Sequence, residues 1–244
     1  KTLKSVAAYA FDECNKLSSV YYEGTWEEWC EITFGYYNSD LLNASIYCNA
    51  SAEDVPDDGT NPDSPENNFE WNLNKSTGTL YIYGSGPMKN YSGAVAPWYI
   101  YQSQIKEVII EEGITTVGDY AFNDFPGIVS VSLPQSLVSI GDYAFEKCRN
   151  LEYINIGNKV KSIGDFAFSN CDSLSNLTIP GSVTVFGAYT FSNSGIRNLT
   201  FERGLKNIGS TAFESCHDIR KLIIGEDVEK IDSQAFWNCL NLKT

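Results

Sequence analysis

The sequence predicts a solenoid in which short parallel strands and one-turn helical segments stack turn upon turn around one continuous core. Three observations predict it. Phenylalanine recurs at Phe122, Phe145, Phe168, Phe191, Phe213 and Phe236, at intervals of 23, 23, 23, 22 and 23 residues, and self-similarity at a fixed period of this size marks a stacked-repeat architecture. Six registers follow one pattern: apolar-x-x-apolar-x-apolar, a bend, then apolar-x-x-apolar-Gly-x-x-Ala-Phe-x-x-Cys. No single turn can bury both its strand face and its phenylalanine, so neighbours must stack and stability becomes a sum of interface terms.

One full copy reads Leu151, Ile154, Ile156, Val160, Ile163, Gly164, Ala167, Phe168 and Cys171. Its predecessor reads Ile128, Val131, Leu133, Leu137, Ile140, Gly141, Ala144, Phe145 and Cys148. Later turns carry Leu174, Leu177 and Ile179, then Ile196, Leu199 and Phe201, then Ile219, Leu222 and Ile224, with Val228 and Ile231 further on. The apolar-x-apolar step has period 2 and is rich in β-branched residues, so it predicts a strand with its apolar side chains inward, near Val108, Val131, Ile154, Leu177, Leu199 and Leu222. Pro134 and Pro180 close that strand, because proline cannot extend a central ladder. The Gly-Asp-Tyr-Ala-Phe stretch is too short for an independent helix and predicts one turn of α- or 3₁₀-helix, pinned by its phenylalanine.

This motif resembles the 23-residue BspA-like leucine-rich repeat of bacterial and some protist surface proteins. The resemblance is strong over residues 101–244 and partial over residues 3–22. It implies a leucine-rich-repeat solenoid, β-rich and of α/β type. It also implies a role in adhesion to host proteins or to other cells.

The rest of the chain divides by pattern. Residues 1–50 begin inside a repeat, with Leu3, Val6, Ala10, Phe11, Cys14, Leu17 and Val20 in register. Thr25 and Glu28 form a capping-box spacing that starts a short helix, and a strand follows from Ala44 to Cys48. This segment resembles the divergent closing turn of a preceding array. Residues 51–68 mix Pro56, Pro62 and Pro65 with Asp54, Asp57, Asp58, Asp63 and Glu66, the composition of a solvated acidic linker. Residues 69–100 alternate on both sides of Lys75-Ser76-Thr77-Gly78, which predicts an aromatic β-hairpin, resembling the N-terminal cap before such arrays. Residues 101–244 are the array of about six turns. The chain lacks an initiator methionine, a signal peptide and an 18-residue apolar run, so it reads as a piece of a longer protein without a spanning helix.

The net charge is −14, with 3 basic against 13 acidic residues in 1–68 and 14 against 18 in 69–244. Acidity without a basic face argues against nucleic acid and against membrane association. Five of the seven cysteines, Cys14, Cys148, Cys171, Cys216 and Cys239, share the slot three residues after the repeat phenylalanine, where other turns hold Phe125 or Ser194. That substitution pattern predicts an inward packing site with reduced thiols, in preference to a ladder disulfide between neighbours such as Cys148 and Cys171. Cys30 and Cys48 lie outside the ladder and could pair.

Catalytic machinery is not evident. The one histidine, His217, follows Cys216, but sequence neighbours seldom face each other, so a Cys–His dyad is disfavoured. The row Asp119, Asp142 and Asp165 reads as helix N-terminal capping. No metal or cofactor motif is present. What varies between turns is the outward face of the strands: Glu107, Ser130, Tyr153, Asn176, Asn198 and Lys221 in one row, Ile109, Ser132, Asn155, Thr178, Thr200 and Ile223 in the other. Two of these strands carry the sequons Asn176-Leu177-Thr178 and Asn198-Leu199-Thr200. The candidate binding face is therefore Glu107, Ser130, Tyr153, Asn155, Asn176, Thr178, Asn198, Thr200 and Lys221, with Tyr153 as the aromatic anchor. The predicted function is a non-catalytic binding or adhesion module of a larger secreted or cell-surface protein, with protein or glycan partners on host or neighbouring cells. The alternative is a structural spacer. The incomplete repeats at both ends predict head-to-tail self-association of Lys1–Tyr22 with Phe236–Thr244 of a neighbour.

Overall fold

The computed structural model describes residues 3–7, 9–11, 14, 19–22, 32–34, 45–48, 69–91 and 96–242. The helix expected at Thr25–Glu28, the pairing of Cys30 with Cys48, the 51–68 linker and the outermost residues of both ends lie outside them.

One parallel strand forms per turn where the period-2 step predicts it. These strands are Glu107–Ile110, Ser130–Ser132, Tyr153–Ile154, Asn176–Ile179, Asn198–Phe201 and Lys221–Ile223. Their register repeats the sequence period: Ser130 lies beside Glu107 and Tyr153, and Asn198 beside Asn176 and Lys221. Val108, Leu177 and Leu199 point inward and are buried, whereas Asn176 and Thr178 between them are exposed. A second, shorter ladder follows each bend, at Ile114–Val117, Ser139–Ile140, Ser162–Ile163, Val185–Phe186, Asn207–Ile208 and Lys230–Ile231. Two-residue strands are too short to show a period in the sequence.

The third side of each turn departs from expectation. The Gly-Asp-Tyr-Ala-Phe stretches are turns, and among the described residues the only helical element is the 3₁₀ turn Tyr99–Tyr101 ahead of the array. Two residues per turn take positive φ, as at Tyr143 (56°) and Lys147 (61°), or Phe166 (53°) and Asn170 (59°). Left-handed residues cannot continue a right-handed helix. The alternation turns every second N–H along the solenoid axis. Tyr120, Phe122 and Asp124 donate to the carbonyls of Asp142, Ala144 and Glu146 in the next turn at 2.8–2.9 Å, while Ala121 and Asn123 donate back to Gly118 and Tyr120. A helix would have kept these donors inside one turn; here they bind turn to turn.

Inside, the six phenylalanines form one stack with ring centroids 5.1–5.4 Å apart and near-parallel planes. Phe122 through Phe213 are fully buried, and Phe236 in the last turn is partly buried. Ile224 and Ile231, which register places inward, are 44% and 48% exposed because no further turn lies over them.

The predicted hairpin is present, Phe69–Asn74 pairing antiparallel with Thr79–Gly84, which in turn pairs parallel with Glu107–Ile110. Gly78 closes the turn at φ 75°, where a Cβ would stand 2.5 Å from the Gln104 carbonyl oxygen. Trp98 takes the place of the phenylalanine that a preceding turn would supply. It stacks on Phe122 at 5.5 Å and donates from Nε1 to the Ala121 carbonyl at 2.8 Å. The apolar end of the stack is thereby covered. In the first part of the chain, Ser5–Val6 pairs parallel with Thr33–Phe34, and Ser19–Tyr22 with Ser45–Cys48, the strand expected at 44–48.

Each ladder is interrupted once. The first ladder runs from the hairpin to Tyr153–Ile154, and a separate three-stranded sheet begins at Asn176–Ile179. The second ladder breaks between Val185–Phe186 and Asn207–Ile208. The phenylalanine stack crosses both breaks without a gap, with centroids 5.1–5.2 Å apart from Phe145 through Phe213.

Candidate binding face

The outward residues of the first ladder occupy one face, but the break divides them. Glu107, Ser130 and Tyr153 belong to the sheet continuous with the hairpin, whereas Asn176, Thr178, Asn198, Thr200 and Lys221 belong to the second sheet. Glu107 and Ser130 are half-buried, and the Glu107 carboxylate accepts from the Thr79 hydroxyl at 3.2 Å. Tyr153 is 61% exposed. Asn155, just beyond its short strand, is exposed too. Beyond the break the amides bond to each other, with Asn198 Nδ2 donating to Asn176 Oδ1 at 2.7 Å and Asn176 Nδ2 to Ser175 Oγ at 3.1 Å. Exposed amides and an exposed tyrosine offer donors, acceptors and an apolar plane without any group that polarises a bond.

The break itself forms a shallow cavity of about 290 Å³, lined by Glu152, Asp172, Ser173, Ser175, Gly195 and Arg197. None of these six is among the residues that sequence reasoning selected. The available signal was the single 22-residue interval, between Phe191 and Phe213. Asp172 and Ser173 separate Cys171 from buried Leu174, whereas Gly195 alone separates Ser194 from buried Ile196. A Cβ at Gly195 would stand 1.9 Å from the Asp172 carbonyl oxygen, so this shortened loop tolerates glycine only.

The row of aspartates does not cap helices. Asp119 Oδ1 accepts from the Asp142 N–H at 2.8 Å, Asp142 Oδ1 from Asp165 at 2.7 Å, and Asp165 Oδ1 from Ala188 at 2.6 Å. Each carboxylate is a rung between turns, which explains its recurrence with the period. Beside it runs an outer aromatic ladder, Tyr120, Tyr143, Phe166 and Tyr189, with centroids 4.6–5.1 Å apart. Burial, chiefly, together with the neighbouring Tyr120 and carboxylates, raises the Tyr143 hydroxyl above its usual pKa.

The slot cysteines are free thiols, buried at Cys148, Cys171 and Cys216 and half-buried at Cys14 and Cys239. Each array thiol donates to the carbonyl of the phenylalanine in the preceding turn: Cys148 to Phe122, Cys171 to Phe145, Cys216 to Phe191 and Cys239 to Phe213, at 3.0–3.3 Å. Ser194 makes the same bond to Phe168 at 2.6 Å. From Cys148 onward the slot thus holds a small donor as well as an apolar volume, whereas the first turn fills it with Phe125. Burial raises the Cys148 and Cys171 thiols and pushes Cys216 up to about 12, so none is an activated nucleophile. His217 turns away from Cys216, its Nδ1 lying 2.8 Å from the Asn238 carbonyl oxygen. Among the described residues no three His, Cys, Asp or Glu side chains gather closely enough to hold a metal ion, and no helix is long and apolar enough to cross a membrane.

Residues 115–243, more than half of the chain, match the BspA-type leucine-rich repeat region in six copies. The chain belongs to the BspA-type leucine-rich-repeat family. Similar solved structures agree with that membership. A leucine-rich repeat protein from Eubacterium ventriosum is 27% identical with a TM-score of 0.60, covering 66% of this chain and 43% of that one. One from Bacteroides ovatus is 25% identical with a TM-score of 0.54, covering 74% of this chain and 46% of that one. The T. pallidum leucine-rich repeat protein, 20% identical with a TM-score of 0.57, shares the fold over 74% of this chain and 91% of its own. This chain therefore spans less than half the length of the Eubacterium and Bacteroides proteins. No curated protein matches it in sequence. BspA-type repeats generally mediate protein binding or adhesion, and the solenoid that carries them is typically non-catalytic.

Proposed function

We propose that this chain is a binding or adhesion module of a larger secreted or cell-surface protein, recognising protein or glycan on host or neighbouring cells through the outward face of its first strand ladder. Exposed Tyr153 carries the reading. It stands 61% open to solvent in the middle of a face of small polar groups, and aromatic side chains dominate the energetics of recognition surfaces. The rigid phenylalanine stack beneath it holds that face in one shape, so little ordering cost accompanies binding. The test is a protein and glycan binding screen on the intact chain, repeated with Tyr153→Ala. A fall in affinity of about 2 kcal/mol or more, typical of an aromatic hot spot, with the fold unchanged, supports the reading. Unchanged affinity moves the site off this face.

The spacer reading is favoured by the self-satisfied pair Asn176 and Asn198, whose amides already bond to each other. A screen without any partner that depends on Tyr153 would support it. Head-to-tail self-association is a further part of the proposal, supported by exposed Ile223, Ile231, Trp237 and Leu240 in the last turn and exposed Leu3 in the first segment. Exposed apolar surface of this kind finds partners. A strictly monomeric mass in light scattering at high concentration would dismiss it.

A further inference from the structure

We infer that the cavity at the break in the first ladder is a subsite for one pyranose ring of a neutral glycan; this rests on the binding-face reading above and specifies its ligand. The cavity lies where the ladder opens. Elsewhere the strands are tied by bonds such as Glu152 N–H to Val129 and Arg197 N–H to Ser175, but among the described residues the corresponding bond from Ser175 to Glu152 is not formed. Ser175, on the far side of the break, accepts through Oγ from the Asn176 amide at 3.1 Å.

The lining has the chemistry of polyol recognition. Glu152 and Asp172 accept hydrogen bonds, Arg197 donates them, and Ser173 and Ser175 do both. A sugar hydroxyl donates and accepts at once, so vicinal hydroxyls are matched by acceptors and donors placed side by side. The Arg197 side chain makes no ion pair among the described residues, and Asp172 is held only loosely by Arg149, at 4.0 Å. These groups therefore remain available to a ligand. At about 290 Å³ the cavity lies at or below the lower end of small-molecule sites. It is polar and open, which suits a single sugar ring and disfavours an apolar ligand. The shortened loop creates the space: restoring the 23-residue spacing would put a further residue beside Ser173.

The experiment is a titration of the intact ¹⁵N-labelled chain with the methyl pyranosides of glucose, galactose, mannose and N-acetylglucosamine. Saturable shifts of the Ser173, Ser175 and Gly195 amides are expected with at least one of them, at millimolar affinity. Arg197→Gln should weaken that affinity tenfold or more. Replacing Gly195 by the Asp-Ser dipeptide of the preceding turn should abolish it. Absence of saturable shifts at these amides with all four sugars overturns the inference, as does undiminished affinity in Arg197→Gln. The two failures are distinguishable. A protein partner lost with Tyr153→Ala, alongside silent sugar titrations, removes the glycan subsite and leaves the binding face in place.

Discussion

The Cys171 thiol lies 3.3 Å from the carbonyl oxygen of Phe145, twenty-six residues earlier and one turn down the stack. The bond gives this carbonyl a second donor, beside the Cys148 N–H at 3.2 Å, next to the phenylalanine core. It accounts for the equivalence of cysteine and serine at this slot, since Ser194 reaches Phe168 in the same way.

Cys171→Ser should therefore be tolerated, with a loss of about 1 kcal/mol or less. Cys171→Val keeps the volume but removes one of the two donors to the Phe145 carbonyl, leaving the Cys148 N–H at 3.2 Å, at a cost of about 0.5–1.5 kcal/mol. Urea denaturation of both variants measures the difference. A valine variant as stable as the serine variant would show that packing alone governs the slot.

Stability should decline above about pH 9. Burial holds the Cys148, Cys171 and Cys216 thiols protonated when folded, Cys216 up to about 12, while the unfolded thiols ionise near the ordinary thiol value of 9.0. Their contribution is thus fully present below pH 9 and is lost as pH rises towards 12. The slope is up to about 1.4 kcal/mol per pH unit for each thiol. Thermal melts from pH 8 to 11, compared with a Cys216→Ser variant, should show the variant losing less. Identical slopes would remove the thiols as the cause. Thiol alkylation of the native protein at pH 8 should spare all three.

Phe168 stacks between Phe145 and Phe191 at 5.2 and 5.1 Å and is fully buried. Phe168→Ala should cost about 3–5 kcal/mol, the range for truncating a buried aromatic. Phe236→Ala, in the partly covered last turn, should cost distinctly less. Equal losses would contradict a stack held by interfaces on both sides.

Lys147 occupies a left-handed position at φ 61°, where the next turn has Asn170 at φ 59°. Asparagine tolerates this region better than other residues with a side chain. Lys147→Asn should therefore raise stability by a few tenths to about 1 kcal/mol. A loss would mean that the lysine's contact with Glu146, at 3.2 Å, outweighs its backbone strain.

The sequence by itself determined the architecture. Recurrence of Phe122, Phe145 and Phe168 set the number and spacing of turns, and the alternation around Val131 and Leu177 set which side chains face inward. These are properties of one turn repeated, so a one-dimensional pattern contains them. It also marked Trp98 and the hairpin as the covering unit, though not that the indole stands in for a phenylalanine. Only the tertiary structure decided what passes between turns. Asp142 looked like a helix cap and is a rung to Asp165; Tyr143 looked helical and is left-handed, because its N–H finds a carbonyl one turn away. Those partners lie more than twenty residues off, beyond any local signal. The cavity at the break in the first ladder is likewise a product of stacking. A missing residue at Gly195 is one irregular interval in the sequence, and becomes space only when Asp172 and Arg197 are brought around it.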